Sequence, residues 1–85
     1  MSDLKAQFEK AILDSNALPE KPDTEDQLFL YSHFKQSSVG DCTGDRPGLT
    51  NFVARSKFDA WQKLSGMSKD EAMQKYIDKV NSLKG

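Results

Sequence analysis

The chain has 85 residues, with 12 Lys and Arg against 13 Asp and Glu, a net charge of −1. At this length a second core could not be buried, so residues 1–85 form one domain. Near-neutral charge argues against a basic nucleic-acid or anionic-membrane surface. A single cysteine, Cys42, excludes an internal disulfide and a cysteine-based metal site. The start, MSDLKAQFEK, has no long apolar run, so neither a signal peptide nor membrane insertion is expected, and the cytoplasm is the expected compartment.

Breaks at Pro19 and Pro22, at Gly40 to Gly48, and at Ser65-Gly66 leave four segments. The first runs from Ser2 to Asn16. At about 100° per residue, Leu4, Phe8, Ala11, Ile12 and Ser15 share one narrow face. The second runs from Thr24 to Val39, with Thr24 and Gln27 as a capping box and Glu25 and Asp26 in the first turn. Leu28, Phe29, Leu30, Tyr31 and Phe34 cover most of its girth. Such a helix needs contacts on more than one side, from neighbours or from a ligand.

The third segment, Asn51 to Leu64, carries Val53, Ala54, Phe58, Ala60, Trp61 and Leu64 on an apolar arc. The fourth, Lys69 to Leu83, has a second capping box at Ser68 and Glu71. Its stripe is Ala72, Met73, Tyr76, Ile77, Val80 and Leu83. No stretch alternates with period two, so the fold is all-α, a four-helix bundle. The short breaks at Ala17–Asp23 and Ser65–Met67 predict antiparallel neighbours. The longer stretch Gly40–Thr50 leaves room for a crossover.

Catalytic patterns are thin. GDCTGDRPG lacks the Gly-Lys-Ser/Thr ending of a phosphate-binding loop. His33 and Cys42 could form a base–nucleophile pair, but nothing else supports one; a surface histidine and a loop thiol is the simpler reading. The distinctive residues are two lysines. Lys57 sits amid Val53, Ala54, Ala60, Trp61 and Leu64, and Lys35 shares an arc with Leu28, Tyr31 and Phe34. A lysine can snorkel from such a place. Two of them beside aromatics point instead to an anionic ligand, the rings stacking on a planar base and the ammonium groups taking phosphate. Tyr76, the one hydroxyl on the fourth stripe, is a further candidate or an ordinary core tyrosine.

LFLYSHFKQSSVGDCTGDRPG, Leu28 to Gly48, and KFDAWQKLSGMSKDEAMQKYIDKV, Lys57 to Val80, resemble the acyl-CoA-binding proteins, in register along essentially the whole chain. The resemblance implies a cytosolic four-helix carrier that binds medium- to long-chain acyl-CoA one to one and has no cofactor. It implies that Tyr31, Lys35 and Lys57 hold the ribose 3′-phosphate and that Phe34 packs near the adenine. Ser32 and His33 belong to the same run and are carried as binding positions. Tyr76 matches a ligand-proximal tyrosine, and Phe8 and Ile12 the acyl region. Phe34 stands where Tyr is common, Asn16 where Lys is common, removing one phosphate contact, and Ile12 where a small residue is common, narrowing the acyl groove or filling core. Asp23 and Gln27 also depart, at a helix start with little expected effect. Two rivals are a helical protein-interaction module without a small-molecule ligand, and an enzyme such as a thioesterase, which lacks an arranged nucleophile, base and oxyanion support. The spread of charge favours a monomer.

Overall fold

The structure, a computed structural model, describes residues 3–85. It contains α1 (Leu4–Ser15), α2 (Thr24–Ser38), α3 (Phe52–Gln62) and α4 (Lys69–Lys84), with no strand among the described residues. Ser2, expected at the start of the first helix, lies outside them. Ser68 caps α4 as expected, its Oγ accepting the Glu71 N–H at 3.0 Å. The α2 cap falls one residue earlier than Thr24: Asp23 Oδ1 accepts the Asp26 N–H at 2.8 Å. A carboxylate on extended backbone outcompetes the hydroxyl for the positive helix end. Gln27 turns outward instead and donates to the Pro22 carbonyl at 2.6 Å.

The core comprises Phe8, Ala11, Tyr76, Ile77 and Val80, flanked by Leu4, Ile12, Leu30 and Met73. It lies mainly between α1 and α4. The helices neighbour one another in the order α1, α4, α2, α3. The pairs joined by the short breaks, α1 with α2 and α3 with α4, therefore do not pack along each other, which corrects the expectation of antiparallel neighbours there. The first link turns at Asn16-Ala17 and bends at Pro19-Glu20, and its two prolines keep helix from running across it.

Directions follow from the contacts. Asp26, early in α2, pairs with Lys79, late in α4, at 2.7 Å, so these helices are antiparallel. Lys57 meets Tyr31 and, one turn on, Trp61 meets Lys35, so α2 and α3 run the same way. Parallel neighbours need a long return, and residues 39–51 provide it.

That crossover is pinned by a polar hub. Gln36 is fully buried, and its Nε2 donates to Asp41 Oδ1 and to the Met67 carbonyl, both at 2.8 Å. The same Asp41 oxygen accepts the Gly66 N–H at 2.9 Å. The Gly66 N–H first, and then the Gln36 amide, hold the Asp41 carboxyl below the ordinary carboxylate range. Trp61 Nε1 donates to the Gly40 carbonyl at 2.8 Å, and Gly40 itself sits at φ +99°, where a side chain would be strained. Arg46 forks onto Asp59 at 2.8 and 2.6 Å.

α2 packs on both α3 and α4, as its apolar girth requires. Yet its buried residues are polar: Ser32, His33, Gln36 and Ser37. Local bonds satisfy three of them. Ser32 and Ser37 donate to the Phe29 and Phe34 carbonyls, and His33 Nδ1 lies 2.8 Å from the Phe29 carbonyl. The polar residues thus face inward, while the ring of Phe34 stays on the outside.

Candidate functional site

Tyr31, half-buried on α2, is the centre of the outward face. Lys57 Nζ lies 5.2 Å from the Tyr31 ring centroid, and Lys35 Nζ 5.1 Å from that of Trp61. Neither lysine has a carboxylate partner among the described residues. Lys57 is exposed and Lys35 half-buried, so the apolar arc around Lys57 is not a covered core. Val53 is 67% exposed and its neighbour Phe52 75%. The reason is topological: α3 packs on α2 alone, and no helix covers its other side.

An apolar groove of about 280 Å³ therefore opens between α2 and α3, lined by Leu28, Phe52, Val53 and Lys57 among others. A second groove, about 350 Å³, lies between the end of α1 and α2; Ser15, Asn16, Tyr31, Phe34 and Tyr76 line it. Gln27 borders both, so the two grooves form one continuous face.

The aromatic floor is built in layers. Phe34, 37% exposed, stacks on Phe8 at 6.2 Å and 25°. Phe8 meets Tyr76 edge-on at 5.1 Å and 75°. Both lower rings are buried, so Phe8 supports Phe34 from beneath and does not line an open groove. Tyr76 Oη and Ser15 Oγ are 3.0 Å apart. Ser15 donates its proton to the Ile12 carbonyl at 2.7 Å, so Tyr76 is the donor of the pair. Its lone pairs remain for an acceptor role.

The remaining candidates separate. Asn16, exposed just past α1, borders the second groove. Ile12 packs against the core and lines neither groove. Ser32 and His33 point the other way, toward a shallow depression between α2, α3 and α4. His33 is a buried residue, 4% exposed, stacked on Phe29 at 4.0 Å, which corrects the surface reading. Burial pushes its pKa below the ordinary histidine value, so it stays neutral at pH 7. Its Nδ1 engages Phe29, and burial pushes the Cys42 thiol up, so the two make no catalytic pair. Among the described residues no cluster of His, Cys, Asp and Glu could hold a metal, and no helix is long and apolar enough to cross a membrane.

Sequence reasoning missed Leu28, Phe52 and Ser15 as groove residues, and Gln36 as the hub. Periodicity marks Leu28 as apolar and Ser15 as facing inward, but it carries no sign of which faces stay open. A cation over the half-buried Tyr31 ring is held by about 0.5–1 kcal/mol, and one over the buried Trp61 ring by up to about 2 kcal/mol. A charge-assisted bond to phosphate contributes about 1.5–3 kcal/mol. Lys57, on the more open ring, therefore gains the more by turning to a phosphate.

Known proteins resemble this chain in sequence and in backbone. The family described as "Acyl CoA binding protein" matches residues 5–80. The acyl-CoA-binding protein of Fritillaria agrestis is 44% identical over 80 residues, 94% of this chain and 92% of its own. The crystal structure of Oryza sativa acyl-CoA-binding protein 2 superposes with a TM-score of 0.89 at 44% identity, covering 94% of this chain and 89% of that one. That of ACBP from Moniliophthora perniciosa gives 0.88 at 42%, covering 98% and 80%. Matched along nearly its whole length in both sequence and backbone, the chain belongs to the acyl-CoA-binding protein family.

Proposed function

We propose that the protein is a carrier that binds and sequesters medium- to long-chain fatty acyl-CoA one to one, buffering and transporting it for lipid metabolism. The observation that carries this reading is the pair of lysines that rest on aromatic rings rather than carboxylates, beside an open apolar groove. Lys35 and Lys57 take the 3′-phosphate, and the adenine stacks against Tyr31 and Phe34. The acyl tail lies along Leu28, Phe52 and Val53. This is a better tail site than the surroundings of Phe8 and Ile12, which are already packed. Burying ten methylenes grosses about 8 kcal/mol at ~0.8 per CH₂. Ordering the tail and headgroup offsets part of it. The tail thus dominates affinity, while the lysines select CoA thioesters over free fatty acids.

The protein works as a monomer in the cytoplasm, and binding is its whole activity, without turnover of the thioester. Calorimetric titration with palmitoyl-CoA, free CoA and palmitate tests the reading. Tight one-to-one binding of palmitoyl-CoA, far stronger than either fragment, is the expected result, with no CoA released on incubation. Equal affinity for palmitate would remove the headgroup from the account.

A further inference from the structure

We infer that Lys21 is a third cation of the site, on the α1 side of Tyr31, and that it holds the 5′-diphosphate of the CoA headgroup; this rests on the acyl-CoA reading above. Lys21 lines the second groove together with Ser15, Asn16, Tyr31, Phe34 and Tyr76, and no carboxylate lines that groove. Lys21 is exposed, and no carboxylate pairs with it among the described residues. A concave, carboxylate-free lining with one cation selects an anion. Asn16 in the same groove brings an amide but no charge, so Lys21 is the groove's only lining cation.

The turn that carries Lys21 is held in place. Pro22 follows it and keeps its backbone extended. The Pro22 carbonyl accepts Gln27 Nε2 at 2.6 Å, which ties the turn to α2 one turn before Tyr31. The lysine stem therefore springs from an anchored base, and less freedom is lost when its ammonium engages a ligand.

The placement of the cations divides the phosphates between them. Lys57 approaches Tyr31 from the α3 side and borders the other groove. Tyr31 borders both cation positions, with Phe34 beside it on the Lys21 side. In a 3′-phosphorylated nucleotide the 3′-phosphate and the 5′-diphosphate leave the ribose at different corners. A base seated on the aromatic ridge thus presents one anion to Lys57 and the other toward Lys21. Both are compact point charges suited to phosphate.

The test is calorimetry of the 85-residue chain with palmitoyl-CoA and with palmitoyl-3′-dephospho-CoA. Lys21→Ala, checked for unchanged far-UV circular dichroism, is expected to weaken both ligands by about five- to tenfold, and Lys21→Arg to stay within about twofold of wild type. Lys57→Ala is expected to weaken palmitoyl-CoA strongly and the dephospho ligand little. If Lys21→Ala binds both ligands as wild type does, the assignment fails. If its loss vanishes on the dephospho ligand, Lys21 reads the 3′-phosphate and the division proposed here is wrong. A wild-type chain that binds neither ligand overturns the acyl-CoA reading itself.

Discussion

Gln36→Leu removes the hub that pins the crossover while keeping the volume of the side chain. Gln36 is fully buried and makes two hydrogen bonds, to Asp41 and to the Met67 carbonyl. Without it the Met67 carbonyl is stranded, at about 1–3 kcal/mol. Asp41 keeps the Gly66 N–H but loses its second donor. Against this, Gln36 Oε1 is itself buried without a partner, and its removal returns about 1 kcal/mol. The net expectation is a loss of about 1 kcal/mol. For a domain of this size that lowers Tm by about 6 °C. Gln36→Glu should be worse, because a carboxylate cannot donate and would face two acceptors in a buried place. Thermal unfolding followed by circular dichroism at neutral pH reads both variants. Because the hub sets α3 against α2, Gln36→Leu should also weaken palmitoyl-CoA several-fold at temperatures where it is folded. A Tm within about 3 °C of wild type, or a Glu variant more stable than the Leu one, would refute the reasoning.

Lys57→Ala should weaken palmitoyl-CoA by at least about tenfold in calorimetry, from the loss of one charge-assisted phosphate contact, and leave helix content unchanged because Lys57 is exposed. Trp61 is the only tryptophan, and Lys35 rests on its ring, so ligand that draws Lys35 away should change Trp61 emission; Lys35→Met should abolish that change, and an undiminished signal would separate Lys35 from the ligand. His33 has a folded pKa below the ordinary value of 6.5 because it is buried, so the unfolded chain takes up a proton that the folded chain refuses. Urea stability should therefore fall as pH drops from 6.5 toward the lowered folded pKa, and it should be flat through that window in His33→Gln; equal slopes for the two proteins would contradict the burial argument.

The helices themselves were legible because their signals are local. The stripe on α4 became the core wall, and Ser68 capped it as the sequence pattern required. Asp23 took the α2 cap from Thr24, a competition between adjacent oxygens that spacing alone does not resolve. Lys35 and Lys57 stood out in the sequence because each interrupts an apolar arc, although the structure leaves Lys57 exposed. What the pattern could not carry was whether an apolar arc has a neighbour. Val53 and Leu28 look like core by periodicity and became groove because α3 ends the row of helices. Phe8 and His33 moved the other way, into packed surroundings.

By itself, then, the sequence determined an all-α fold and its four segments, since each depends on residues within a turn or two of one another; it placed Lys35 and Lys57 among apolar neighbours, but the rings they rest on belong to the other helix. The tertiary structure alone decided the order α1, α4, α2, α3, the shared direction of α2 and α3, and the openness of the groove between them. Those depend on contacts between distant segments, above all on Gln36, Asp41 and Met67 closing a crossover that no local period records.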